Sequence, residues 1–256
     1  VFSLWDTFRA YHPLMTIIDP DLNQAFIRSL ILKQREGGIF PMWELAGNYT
    51  GTMIGYHAAS IIADAYTKGY RDFDVQDAYK ACIRAAEYDT TGILCPPLVL
   101  PHLMPQAKYW KNKIGYVPCD KDNESVAKAL EYAYDDYATA LLAKELGDSE
   151  NYEKLMKRTD SYKHLFDPST QFMRGRLKDG TWITPFDPKR PFYEYMYREA
   201  NGWQSTFFAP HDSEGFIALY PSKKAFENKL DSLFMIPWDG YEAHNLTTFI
   251  GQYCHG

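Results

Sequence analysis

The chain has 256 residues, of which 27 are Lys or Arg and 33 are Asp or Glu, giving a net charge of −6. That balance excludes a general nucleic-acid binder, which needs a basic face. With 46% hydrophobic and only 23% charged residues the chain can bury a sizeable core, and no apolar run reaches the roughly 20 residues of a membrane span.

The periodicity is helical along most of the chain. Leu4, Phe8, Tyr11, Leu14, Met15 and Ile18 recur at helical spacing, which predicts one buried face over residues 4–18, kinked or cut short by Pro13. Asp19 caps a second helix with Pro20 at its first position, running to Glu36 and stopped by Gly37 and Gly38. A third helix fits residues 52–68, closed by Gly69, and a fourth is capped by Asp74 and reaches Tyr88. From 123 to 146 the apolar set Val126, Leu130, Ala133, Tyr134, Tyr137 and Leu141 predicts an amphipathic helix, with one or both of Asp135 and Asp136 on its solvated face and Gly147 closing it. A partner helix follows over 149–165. Residues 167–197 lose the helical period and are rich in Pro, Gly, Asp and aromatics, which predicts a long, function-bearing loop region with a hairpin at Asp179-Gly180. Helical pattern returns at 202–208, 212–219 and 222–234. With no Pro-rich linker and no charge break, this reads as one domain or part of one. Helices joined in pairs without a fixed-period repeat make the fold class all-α and favour an α/α toroid over a solenoid. Val1 stands where an initiating Met would, and Gly251-Gln-Tyr-Cys-His-Gly closes the chain without a helix, so a segment from inside a longer protein is expected.

The 20 Tyr, 15 Phe and 6 Trp make 16% of the chain aromatic. They fit either a large aromatic core or a carbohydrate site walled by rings. Three clusters set an acid or amide beside a Trp: Leu4-Trp5-Asp6-Thr7-Phe8-Arg9, then Pro41-Met42-Trp43-Glu44 with Asn48-Tyr49-Thr50, then Tyr197-Arg198-Glu199-Ala200-Asn201-Gly202-Trp203-Gln204. A sugar needs that mixture, because its C–H face stacks on a ring while its hydroxyls bond to carboxylates and amides. Each member also has a plain structural reading: Asp6 as a charge favoured by a helix N-terminus, Glu44 as a loop ion-pair partner. Glycoside hydrolysis requires two carboxyl groups, one of them a proton donor to the departing oxygen. Glu199 is the best candidate for that donor by position, since it enters a helical turn among Tyr195, Tyr197 and Trp203. No second carboxylate is singled out. His211-Asp212 either orients a site or caps the next helix, and His57 reads as a satisfied core histidine. Cys82, Cys95, Cys119 and Cys254 are widely spaced without a CxxC pair, which argues against zinc and leaves disulfides open. Phosphate-loop, GxSxG and HExxH patterns are absent from the sequence.

At these clusters the chain resembles the exo-acting α-mannosidases of glycoside hydrolase family 92. Six blocks carry the resemblance in matching order: Phe2-Ser-Leu-Trp-Asp-Thr-Phe-Arg-Ala-Tyr-His-Pro-Leu, Met53-Ile-Gly-Tyr-His-Ala with Ile62-Ala-Asp-Ala-Tyr-Thr-Lys-Gly, Ser125-Val-Ala-Lys-Ala-Leu-Glu-Tyr-Ala-Tyr-Asp-Asp, Phe166-Asp-Pro-Ser-Thr-Gln-Phe-Met-Arg, Glu199-Ala-Asn-Gly-Trp-Gln and Gly251-Gln-Tyr-Cys-His-Gly. The resemblance implies that residues 1–256 are an incomplete (α/α)6 six-hairpin toroid, lacking both the N-terminal β-sandwich domain and the C-terminal part of the toroid. It implies a calcium-dependent, inverting enzyme that releases terminal mannose from α-mannosides such as N-glycans or mannan. Glu199 takes the place of the family's general acid, and Trp5 and Asp6 that of the segment holding the terminal mannose. His255 falls on the leaving-group side, Trp43, Glu44 and Trp203 are further candidates to line the sugar site, and Gln204 is a candidate calcium neighbour. Gly256 follows His255 where members acting on α-1,2 linkages have Glu, so another linkage is expected. Because the general base of the family lies in a segment not present here, the 256 residues alone are expected to be inactive. The resemblance places such enzymes outside the cytoplasm, secreted, periplasmic or on the cell surface, without a membrane span and without a nucleic-acid partner. A calcium-independent α/α-toroid glycosidase and a non-catalytic glycan-binding protein are the alternatives.

Overall fold

A computed structural model describes residues 2–190, 196–239 and 250–253. Helices dominate it. Twelve α-helices are found among the described residues: α1 (Leu4–Thr7), α2 (Tyr11–Ile18), α3 (Pro20–Gly37), α4 (Ala58–Thr67), α5 (Val75–Ala86), α6 (Leu100–Leu103), α7 (Ala107–Ile114), α8 (Ser125–Glu145), α9 (Ser149–Thr159), α10 (Gly202–Ser205), α11 (Ser213–Ile217) and α12 (Lys223–Met235). A 3₁₀ helix, Asp160–Leu165, continues α9.

Several boundaries follow from capping chemistry. Asp19 accepts from the Leu22 N–H at 3.0 Å with Pro20 at the first position of α3, and Gly38 ends that helix at φ 81°. Asp74, Asp148 and Ser222 cap α5, α9 and α12 in the same way. The stretch 4–18 is broken rather than continuous. Pro13 can sit only in the first turn of a helix, because its ring and missing N–H exclude it further in, so α2 starts two residues before it. The helix expected from residue 52 begins instead at Ala58, since Met53 and Gly55 hold φ 72° and 86° and no right-handed helix propagates through such residues. Both α6 and α7 arise in a Pro-interrupted stretch where the sequence showed no clear period.

Two short hairpins accompany the helices. Glu44–Leu45 (β1) pairs with Asn48–Tyr49 (β2) across Ala46 and Gly47, both left-handed at φ 51° and 78°, as a two-residue hairpin demands. Phe166–Asp167 (β3) pairs with Phe172–Met173 (β4). Around Asp179-Gly180 the expected hairpin is present, with Leu177 N–H donating to the Thr181 carbonyl at 2.8 Å and Arg176 bridging Trp182.

The centre of the fold is α8, which α4, α5, α7, α9 and the 3₁₀ helix all pack against. It is not the amphipathic helix the sequence implied. Of its 21 residues 16 are buried, and Tyr134, Tyr137 and Leu141, assigned to the inner face, are among the less buried ones. Asp135 and Asp136, one or both expected in solvent, are 0% and 1% exposed. Frequent alanines let neighbours approach from every side, and the acids are tolerated because each is paired internally, as described next.

Among the described residues no helix is long and apolar enough to cross a membrane. Cys82, Cys95 and Cys119 are free thiols, while Cys254 lies outside the described residues.

Candidate active site

Three chain segments converge around the first two aromatic clusters. Leu4 N–H donates to the Met42 carbonyl at 2.8 Å and Ser3 bridges Trp43, so α1 lies along the second cluster. The Trp43 carbonyl in turn accepts from the Thr50 N–H at 3.0 Å and its hydroxyl at 2.9 Å. The chain then reaches Met53, whose Sδ accepts from Arg198 Nη2 at 3.3 Å, while Arg198 Nη1 binds Glu124 Oε1 at 2.6 Å. In this way the third cluster is tied to the other two.

Arg198 and Glu124 line a cavity of about 690 Å³ with Met53, Gly55, Lys108 and Lys128. Lys108 is 4% exposed and donates to the Ala85 carbonyl at 2.6 Å; burial pulls its amine down to about 8 against the pull of Asp135 and Asp136. Glu199 stands next to this wall, its Oε1 4.0 Å from Arg198 Nε and its side chain 24% exposed. Its backbone is left-handed, φ 46°, a conformation that costs a non-glycine residue on the order of 1 kcal/mol and collects at functional sites. The segment after it is firmly held. Asn201 and Gln204 form a reciprocal capping box at the start of α10, with Gln204 N–H on Asn201 Oδ1 at 3.1 Å and Asn201 N–H on Gln204 Oε1 at 2.9 Å. Asn201 Nδ2 also donates to Gln252 Oε1 at 3.1 Å, which joins the Glu199 block to the Gly251 block.

Behind the first cluster runs a buried polar network that the sequence reading missed. Trp5 Nε1 donates to Glu131 Oε1 at 2.8 Å, and Arg9 Nη2 approaches the same oxygen at 3.4 Å. Glu131 Oε2 meets His57 Nε2 at 2.7 Å, and His57 Nδ1 meets Asp135 Oδ1 at 2.7 Å. Asp135 Oδ2 accepts from the Tyr56 N–H at 2.6 Å. The Tyr56 hydroxyl and the Lys111 ammonium both bind Asp136. A signal was available: Glu131 and Asp135 are like charges four residues apart on one helix, an arrangement that is unfavourable unless a cation stands between them. His57, read as a satisfied core histidine, is that group. Gly55 makes room for it, since a Cβ there would lie 2.4 Å from His57 Nε2.

Burial alone would keep the His57 imidazole neutral, but the carboxylates of Asp135 and Glu131 outweigh it and push the ring up to about 9. The ring is therefore cationic at neutral pH. Because the folded value lies above the ordinary 6.5, the stability it contributes is complete below pH 6.5 and is lost as pH rises through about 9. Nitrogen-detected NMR should find both ring nitrogens of His57 protonated at pH 7, with the transition near 9. A midpoint below 7 would remove the charge from the network.

Other candidate residues are placed differently. Asp6 is exposed in the first turn of α1. Trp43 is half-buried. Glu44 is ion-paired with Lys33, the plain reading of that residue, and both line a separate cavity of about 270 Å³ with Phe2 and Phe26. Trp203, in the third cluster, is buried. It is 6% exposed, packed edge-on against Phe172 at 4.8 Å with Lys229 Nζ 4.5 Å above its ring, so both ring and edge are core surface. Asp212 caps α11 through the Gly215 N–H at 2.9 Å. His255, Gly256 and Tyr195 lie outside the described residues.

The family model of the glycosyl hydrolase family 92 catalytic domain matches residues 1–256. The chain belongs to glycoside hydrolase family 92. Among solved structures it is similar to a family 92 α-mannosidase from Bacteroides thetaiotaomicron, with 37% identity and a TM-score of 0.82 over 94% of this chain and 31% of that one. The same enzyme in complex with mannoimidazole matches with 36% identity and a TM-score of 0.80, over 94% of this chain and 31% of that one. A family 92 inverting mannosidase from the same organism matches at 30% identity and a TM-score of 0.82, over 95% of this chain and 31% of that one. A curated relative, an uncharacterized secreted glycosidase of Arthroderma benhamiae, is 30% identical over 235 residues, covering 79% of this chain and 29% of the relative. The chain thus spans less than a third of each of these proteins.

Family membership raises the question of a metal. Among the described residues no group of three or more His, Cys, Asp or Glu side chains is arranged to hold an ion. Gln204, the expected calcium neighbour, already accepts the Asn201 N–H through its Oε1. Taken by themselves, the described residues supply no cluster of carboxylates for a calcium ion, and one lone pair of Gln204 Oε1 is already engaged.

Proposed function

We propose that this chain supplies the general acid and part of the sugar-binding wall of an α-mannosidase, within an (α/α)6 catalytic domain that belongs to a longer enzyme. The observation that carries this reading is Glu199: a partly exposed carboxyl on a strained backbone, next to Arg198 of the cavity wall and tied through Arg198 and Met53 to the segments bearing Trp5 and Trp43. In this role Glu199 donates its proton to the glycosidic oxygen as the mannosyl group departs, and Trp5 and Asp6 hold the terminal sugar. Inversion requires a second carboxylate on the opposite face to activate water, and that base is assigned to another part of the longer enzyme. Calcium dependence belongs to the same reading, its remaining oxygen ligands assigned elsewhere in that enzyme, with a linkage other than α-1,2 and a location outside the cytoplasm. The relative described as secreted supports the location.

The test follows a full-length enzyme containing this chain acting on an α-mannoside by proton NMR. β-Mannose should appear first, a calcium chelator should stop the reaction, and added calcium should restore it. First appearance of α-mannose would exclude inversion, and turnover indifferent to the chelator would favour a calcium-independent enzyme.

A further inference from the structure

Trp5 and Arg9 share one acceptor, and that acceptor sits inside the protein. Glu131 is 5% exposed in the middle of α8. Its Oε1 takes the Trp5 indole N–H at 2.8 Å and the Arg9 guanidinium at 3.4 Å, so one oxygen fixes both side chains. Its Oε2 is held by His57 at 2.7 Å. His57 cannot turn away, because Phe8 stacks on its ring at 3.8 Å and 15° and Asp135 holds its other nitrogen. Arg9 lies over the Trp5, Phe8 and Phe208 rings at 5.5, 4.8 and 5.2 Å, which closes the arrangement from the outside. The Trp5 ring is therefore oriented by a rigid line of hydrogen bonds running from α8 to the end of α1. Mere packing of an indole has no need of a charged acceptor, and burying a carboxylate is costly.

We propose that Glu131 is a positioning residue of the sugar site: it sets the orientation in which Trp5 meets the substrate, and His57 locks it in place. The inference rests on the reading of Trp5 as part of the mannoside site. His57 supports it from a second direction, since its charge makes the bond to Glu131 a charge-assisted one.

The experiment compares Glu131→Gln, Trp5→Phe and the double variant in the full-length enzyme, with an aryl α-mannoside as substrate and thermal unfolding alongside. Each single variant should raise KM about 10-fold with kcat changed less than about 3-fold, as loss of a charge-assisted hydrogen bond predicts. The double variant should be no worse than the worse single one, because both act on the same charge-assisted bond, Glu131→Gln by removing its charge and Trp5→Phe by removing its donor. Losses in log KM that add, or a fall in kcat at unchanged KM, would overturn the proposal. Trp5→Phe keeps an aromatic face without the N–H and guards against a Glu131→Gln protein that does not fold. An unchanged KM in this variant, at unchanged melting temperature, also overturns it. A wild-type enzyme that hydrolyses no α-mannoside would defeat the mannosidase reading itself, whereas an active enzyme with additive losses defeats only the positioning role.

Discussion

Glu199→Gln in the full-length enzyme is expected to lower kcat/KM for a disaccharide α-mannoside by on the order of 1,000-fold, while an aryl mannoside with an activated leaving group loses far less. The difference comes from the proton. A sugar alkoxide is a poor leaving group and must be protonated as it departs, whereas a nitrophenolate leaves without help. The amide has the shape of the acid it replaces, and the backbone that strains position 199 is held independently by the Asn201 and Gln204 capping box and by Gln252. KM should therefore change little. Steady-state kinetics on the two substrates decide the matter. If both lose activity equally, Glu199 is not the acid, and the assignment fails however well the fold is preserved.

The second large effect concerns stability. Lys111→Met should destabilise the fold by about 3–5 kcal/mol, because removing one partner of a buried ion pair leaves the other charge without compensation. Lys111 and Asp136 are 3% and 1% exposed, and apart from the Lys111 ammonium Asp136 is held by the Tyr56 hydroxyl. Adding Asp136→Asn to the Lys111→Met protein should recover much of the loss, since the stranded charge is then gone. Urea unfolding of the three proteins measures this directly. A loss under about 1 kcal/mol in the single variant would mean that Asp136 is solvated in a way its burial does not indicate.

Features of the fold that depend on near neighbours were legible in the sequence. Asp19 and Asp74 cap the helices they were expected to cap, and the Asp179-Gly180 hairpin is where its turn chemistry puts it. Features that depend on distant partners were not. The charge of Asp135 reads as a surface residue until His57, 78 positions earlier, is known to lie against it. Trp203 reads like Trp5, since each stands by an acid or amide at a helix start. Only the long-range partners separate them: Phe172 draws Trp203 into the core, and Glu131 orients Trp5 from behind. Glu44 is similar, for its partner Lys33 comes from α3. Glu199 is singled out as a candidate by its neighbours in sequence, but its strained backbone and its link through Arg198 to the cavity wall were not legible there.

The burial of α8 on nearly all sides bears on how this protein can change over time. Most helices have a solvated face where charges drift freely by single substitutions. Along α8 the residues that look interchangeable, Lys128, Glu131, Asp135 and Asp136, are each matched to a side chain elsewhere: Asp122 for Lys128, His57 for Glu131 and Asp135, and Lys111 with the Tyr56 hydroxyl for Asp136. A single exchange at any of them strands a charge, so such positions are expected to change in concert with their partners or not at all. Co-variation between α8 and residues 56, 57, 111 and 122 should then stand out in any collection of family sequences, far above that of the half-exposed Tyr134, Tyr137 and Leu141.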